Sequence, residues 1–208
     1  MRANTKEMQD SMTPEKALTY LKEGNQRFLD NIKADRNLLQ QVKDTSEGQY
    51  PYAVILSCID SRVSAELVFD QGVGDIFSVR VAGNFVNEDV LGSMEFACKI
   101  AGSKLIVVLG HTKCGAVKGA CDDAQLGNLT TLLSKIKPAV EAVKEPSENR
   151  NSSNSEFVEK VSQMNVEMTI ANIMKQSSVL KEMIDNGEIG IVGGMYDVDN
   201  GKVELDSL

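Results

Sequence analysis

Four short apolar runs, separated by segments of helical periodicity, constrain this chain more than any other feature. Ala53-Val54-Ile55-Leu56, Leu105-Ile106-Val107-Val108-Leu109 and Ile189-Gly190-Ile191-Val192 are continuous rather than alternating, and Ile76 to Val81, interrupted by Ser78 and Arg80, is read as a further run of the same kind. That is the pattern of strands covered on both faces. Between them, Val90 to Ala101, the series Leu126, Leu129, Leu133 and Ile136, and the series Phe157, Val161, Met164 and Met168 continuing to Met183 recur at helical spacing. Strands that alternate with helices imply an α/β fold with a mainly parallel central sheet flanked by helices. Met195 to Val198 and Val203 to Leu205, joined through Asn200-Gly201, predict a C-terminal antiparallel hairpin, and Pro146 to Ser155 is polar and predicts a loop.

A chain of 208 residues that is 42% hydrophobic is sized for one buried core. The expectation is a single domain over 1–208, with 1–45 forming an N-terminal helical arm and 46–208 the α/β core. Thr13, Pro14 and Glu15 read as a helix start, followed by an apolar stripe of Leu18, Leu21, Phe28 and Ile32. The stripe fits either a surface helix on the core or an arm that grips a second subunit. No stretch approaches the roughly 20 apolar residues of a membrane span, and MRANTKEMQD lacks the apolar centre of a secretory signal. The cytoplasm is the expected address, and no membrane partner is expected. A net charge of -8 argues against a nucleic-acid partner and for a small or neutral substrate. Four cysteines are too few for a disulfide framework and point instead to metal or catalysis.

Cys58 and the pair His111 and Cys114 each stand just beyond the carboxyl end of a predicted buried strand, the edge at which open α/β sheets bind ligands. Neighbouring strands would bring the two loops within reach of one metal ion. Two thiolates and an imidazole suit zinc, and we expect one Zn2+ per chain on Cys58, His111 and Cys114. A cysteine after an apolar strand is often mere packing. Here, however, the only histidine of the chain lies in the glycine-flanked loop Gly110-His111-Thr112-Lys113-Cys114-Gly115 with one of those cysteines. Three protein ligands leave the fourth tetrahedral position to water, as in catalytic zinc. Cys121 is the competing fourth ligand. It would close the site into a structural one, but a helix starting near Ala116 should turn it into the core, and Cys98 carries the same packing reading.

Asp60 and Arg62 follow Cys58 in Cys58-Ile59-Asp60-Ser61-Arg62. Elsewhere they would be a loop-stabilising ion pair. Two residues from a zinc ligand, the carboxylate can accept a hydrogen bond from metal-bound water while Arg62 keeps it ionised and turned away from the metal.

These two motifs together resemble the signature of the β-class carbonic anhydrases. The resemblance continues through Gly74-Asp75-Ile76-Phe77-Ser78-Val79-Arg80, Ala82-Gly83-Asn84, Gly92-Ser93-Met94-Glu95-Phe96 and the hairpin from Tyr196-Asp197 to Gly201, and so covers most of the chain from about Pro14. It implies zinc-dependent reversible hydration of CO2 to bicarbonate and a proton, with zinc-bound hydroxide as nucleophile and Asp60 and Arg62 as the orienting dyad. It also implies a homodimer or homotetramer with the active site at the subunit boundary. There Gln49 from one chain would meet the aromatic Phe77 and Phe96 of another, with Ala82 where a lining valine is common and Gly115 offering a backbone N–H. The chain departs from the family at Val63-Ser64-Ala65-Glu66, where prolines are usual. It also has Ile55 where some bacterial relatives carry the tryptophan of an inhibitory bicarbonate site. Gln49 and Ile55 together imply the constitutively open form, with Asp60 on Arg62.

Two thiolates and a neutral imidazole leave the zinc site without net charge, so activity should rise above neutral pH. With His111 committed to the metal, proton release should depend on buffer. Two other readings use the same residues: a carbon disulfide or carbonyl sulfide hydrolase with the same zinc site, and a non-enzymatic zinc-stabilised binding module closed by Cys121. A phosphate loop over Gly110 to Gly119 lacks the Lys-Ser/Thr it would need.

Overall fold

A computed structural model of the chain describes residues 2–208. The N-terminal third carries α1 (Lys6–Asp10), α2 (Pro14–Leu29) and α3 (Leu38–Asp44). β1 (Ala53–Ser57) leads through α4 (Ala65–Val68) to β2 (Ile76–Arg80), and α5 (Glu88–Glu95) runs directly into a π turn over Phe96–Ile100 before β3 (Leu105–His111). Then come α6 (Gly115–Cys121), α7 (Gly127–Ser134), α8 (Lys137–Ala142), α9 (Ser155–Gln176) and α10 (Ser178–Asp185), with β4 (Gly190–Tyr196) and β5 (Val203–Leu205) last.

The strands form one sheet in the order β2-β1-β3-β4-β5. The first four are parallel, and only β5 is antiparallel, to β4. From β1 the chain moves outward to β2, then returns to place β3 on the other side of β1. The carboxyl ends of β1 and β3 therefore flank the point where the strand order reverses, the crevice that α/β sheets use for ligands.

In β1 and β3 continuous apolarity is explained by burial on both faces; β2, expected to be covered in the same way, lies at the sheet edge and leaves Ser78 and Arg80 exposed. Ala53 and Ile55 of β1 and Leu105, Val107 and Leu109 of β3 pack with α2 and α4 side chains such as Leu18, Leu21 and Val68. Val54, Leu56, Ile106 and Val108 point the other way, against Met94 of α5, Ile173 of α9 and Leu180 of α10. Each such side chain contributes about 1.5–3 kcal/mol by leaving water. A third cluster joins Cys58 and Cys114 to Val117, Ile136, Phe157 and Val161, so the cysteine loops sit on a packed floor rather than in a mobile surface loop.

The helix at Thr13 starts as the sequence implies: Thr13 accepts from the Lys16 amide and Pro14 opens the first turn. Of its predicted stripe only Leu18 and Leu21 reach the core, whereas Phe28 and Ile32 are exposed. The helix rests on its own chain. Asn25 donates to the Val68 and Gly201 carbonyls at 3.0 Å each and accepts from Val203 N at 2.9 Å. Asp70 collects Arg27 Nε at 2.5 Å, Arg36 Nη1 at 2.6 Å and Ala34 N at 3.1 Å.

Three boundaries differ from the sequence expectation. The run to Met183 is two helices, because Ser177 ends α9 and its hydroxyl caps α10 by accepting from Leu180 N. The Val90 to Ala101 helix changes to the π turn at Phe96. The fourth strand and the first arm of the hairpin are one continuous strand, β4. Gly193-Gly194 does not break it, because β5 packs where side chains would be: a Cβ on Gly194 would lie 2.5 Å from Leu205 Cδ2.

Candidate active site

β1 and β3 are adjacent and in register from Ala53↔Leu105 to Ser57↔Leu109. Cys58 therefore emerges beside Gly110 and His111, although the two motifs are far apart in sequence. Cys58, His111 and Cys114 are all buried, and their ligand atoms lie within 4.8 Å of one another. The two sulfurs are 3.9 Å apart. Tetrahedral zinc with Zn–S bonds of about 2.3 Å would set them about 3.8 Å apart, so the donors are already spaced for the ion.

Polar bookkeeping gives the same answer. His111 is fully buried, yet its Nε2 has no hydrogen-bond partner, a costly state unless a ligand takes the lone pair. Nδ1 lies 2.9 Å from the Thr112 carbonyl, which takes the Nδ1 proton and leaves Nε2 as the free donor atom. The Cys58 thiol is pulled well below its usual range, first because Cys114 donates to it and then through His111 and the amide of Gly83, against the opposing effect of burial. Cys114 is pushed up by the same shared proton and by burial. A divalent cation would bind both sulfurs as thiolates in place of the contact between them. The residues present fit zinc. Cys121 stands outside the cluster, half-buried against the floor with Val117 and Phe157, and Cys98 is core packing.

The loops are shaped by specific contacts. Gly83 donates its amide to Cys58 Sγ at 3.4 Å. It does so at φ +78, where a Cβ would also strike Ile136 Cδ1 at 2.3 Å, so only glycine fits. Lys113, between the two ligands of the second loop, sits at φ 57, and its ammonium pairs with Asp199 at 2.5 Å. Thr112 ties the same loop to the hairpin: its amide donates to the Tyr196 carbonyl at 3.0 Å and its hydroxyl accepts from Val198 N at 3.1 Å.

Asp60 faces Arg62. The guanidinium donates through Nε at 2.9 Å and Nη2 at 2.7 Å, and the Arg62 amide adds a third bond at 3.0 Å. These bonds hold the Asp60 carboxyl far below the usual carboxylate range, overriding its desolvation. The carboxylate is thus ionised, and it is not one of the three clustered donors. Tyr196 lies buried in the field of Arg62, Asp197 and Asp60, and burial pushes its phenol up.

The expected pocket residues fall in separate places. Gln49 is exposed in the loop before β1. Phe77 and Phe96 meet edge to face with centroids 6.2 Å apart, and with Val79, Arg80 and Gly92 they line an open cleft of about 770 Å³ along the edge strand. Ala82 adjoins Gly83 over the site, and Gly115, exposed, begins α6 just after Cys114.

The carbonic anhydrase family profile matches residues 53–203, and the chain is 38% identical to "Carbonic anhydrase 2" of Mycobacterium tuberculosis over 92% of both proteins. The chain is a β-class carbonic anhydrase. A carbonic anhydrase of Mycolicibacterium smegmatis is 34% identical over 93% of this chain and 94% of that one. Among solved structures, the β-carbonic anhydrase CafA of Aspergillus fumigatus superposes with a TM-score of 0.71 at 26% identity, covering 93% of this chain and 90% of CafA. The β-carbonic anhydrase CcaA shares the fold, with a TM-score of 0.72 at 24% identity over 90% of this chain and 86% of that chain. Three further residues, to which the sequence reading assigned no role, bond the loops that carry the cluster: Arg80, Gly83 and Thr112. Each falls within a motif of the family resemblance, at or just past a strand end.

Proposed function

We propose that this carbonic anhydrase hydrates CO2 reversibly to bicarbonate and a proton with one zinc ion held by Cys58, His111 and Cys114. The observation that carries this is the buried, unpartnered His111 Nε2 facing two sulfurs spaced as zinc ligands. Zinc held there would supply a Lewis acid that makes water a nucleophile near neutral pH. The protein's part is orientation. Arg62 occupies both Asp60 oxygens from one side and leaves that acceptor-only carboxylate with lone pairs to hold a reacting water in one direction. His111 is spent on the metal, so the product proton leaves through buffer or an exposed carboxylate.

Gln49, Phe77, Ala82, Phe96 and Gly115 line the substrate pocket, which a second copy of the chain completes in a homodimer or homotetramer. The exposed ring of Phe96 and the open cleft beside β2 support that reading. The chain works as one unit over 1–208, with 1–45 as its arm. Four free cysteines suit the reducing cytoplasm. No helix among the described residues is long and apolar enough to cross a membrane.

Stopped-flow hydration of CO2 by the purified protein, by chelator-stripped protein and by protein reloaded with zinc tests the proposal, with carbonyl sulfide and carbon disulfide run in parallel. Loss on stripping, recovery with zinc and preference for CO2 are expected. Turnover of the sulfur gases without CO2 hydration would assign the site to the hydrolases instead.

A further inference from the structure

Arg80 closes β2, level with Ser57 in the parallel register with β1. The residue is exposed, but its guanidinium folds back onto the neighbouring loop. Nε donates to the Cys58 carbonyl at 3.0 Å and Nη2 to the Asp60 carbonyl at 2.8 Å. Those two carbonyls belong to the first metal ligand and to the dyad carboxylate. We propose that Arg80 is a positioning residue that fixes the Cys58–Asp60 segment, so that one planar fork sets both the direction of the Cys58 sulfur and the place of Asp60. This inference rests on the zinc reading above.

The geometry favours this over a simpler role. A charge on an edge strand discourages pairing with other chains, but that requires only an exposed cation. Two bonds from one rigid group to carbonyls two residues apart constrain the backbone between them, and only arginine has parallel donors for that. The segment also needs a constraint. The last rung of the sheet beside it is Val81 N to the Ser57 carbonyl, so from Cys58 onward the ladder no longer dictates the backbone. Asp60 is tied to Arg62, an exposed side chain of its own loop, which orients the carboxylate but cannot anchor that loop to the sheet. Arg80 supplies the anchor from β2, and the Gly83 amide on Cys58 Sγ continues it from the same segment of chain.

The test compares wild type, Arg80→Lys, Arg80→Ala and, as a control for general destabilisation, Asn25→Ala, which breaks the buried contact between α2 and the hairpin. Each is measured for zinc transfer to a chromophoric chelator, for the thiolate-to-metal absorption band of the cobalt-substituted protein, and for kcat and KM. Because partners of metal ligands typically tune affinity or activity by 10–100-fold, both Arg80 variants should release zinc at least about 10-fold faster. They should also shift the cobalt band and lower kcat with little change in KM. Asn25→Ala should lower the melting temperature while keeping wild-type zinc release and cobalt spectrum. Wild-type release and spectrum in Arg80→Lys would overturn the inference, as would equally fast release from Asn25→Ala. A wild-type protein that takes up neither metal would overturn the zinc reading itself, and this inference with it.

Discussion

The cysteine-histidine cluster and the cleft beside β2 are built to different degrees by one chain. The ligand cluster at the ends of β1 and β3 is buried, in register and spaced for an ion without help from elsewhere. The cleft of Phe77, Phe96 and Arg80 beside β2 is open, and Phe96 is 52% exposed. The donor cluster is therefore formed by the single folded chain, whereas the cleft is left open by it, and the proposed function assigns its closure to a second copy.

Four substitutions probe that contrast. The largest effect belongs to Asp60→Asn, which leaves the three donors untouched but removes the ionised acceptor. Zinc content should stay at wild type while kcat falls on the order of 10²–10⁴-fold, and loss of zinc together with rate would mean that Asp60 belongs to the metal shell. Phe96→Asp puts a charge on the open side of the site. Sedimentation should show a smaller species and kcat/KM should fall about 10-fold with metal retained, as expected when an apolar anchor is lost from an interface. Unchanged size and rate would show that no second copy walls the cleft.

Arg27→Gln tests the attachment of the arm to its own core. Burial alone would raise the Asp70 carboxyl, but bonds from Arg27, Arg36 and Ala34 N outweigh it and hold it low. Its folded value lies below the unfolded one, so the stabilisation is complete above the ordinary value of about 4 and is lost as pH falls through the folded value. Removing Arg27 should cost about 1.5–3 kcal/mol at neutral pH, and melting curves of the two proteins should converge in acid. A difference independent of pH would assign the loss to packing. Cys121→Ser should change least: metal and hydration rate stay at wild-type levels, and their joint loss would restore the closed structural site.

Sequence periodicity carried the α/β architecture because β1 and β3 are unbroken apolar runs from Ala53 to Leu56 and from Leu105 to Leu109. It could not show that β4 continues through Gly193-Gly194, since that depends on how β5 packs against the bare backbone. The clustered donors were legible from Cys58 and His111-Thr112-Lys113-Cys114 because donor chemistry travels with residue type. Arg80 was not, since its role arises only when β2 lies beside β1 and the guanidinium reaches the carbonyls of another segment. The apolar stripe of α2 was half legible: Leu18 and Leu21 face the core, but Phe28 is exposed near the helix end and Ile32 falls beyond it.

Zinc content and CO2 hydration measured together on wild type and Cys58→Ser test the central claim most directly. One zinc per active wild-type chain is expected, with both metal and hydration lost in the variant, as removal of one of three protein ligands requires. A metal-free wild type that still hydrates CO2 at full rate, or a Cys58→Ser protein that keeps both, would contradict it.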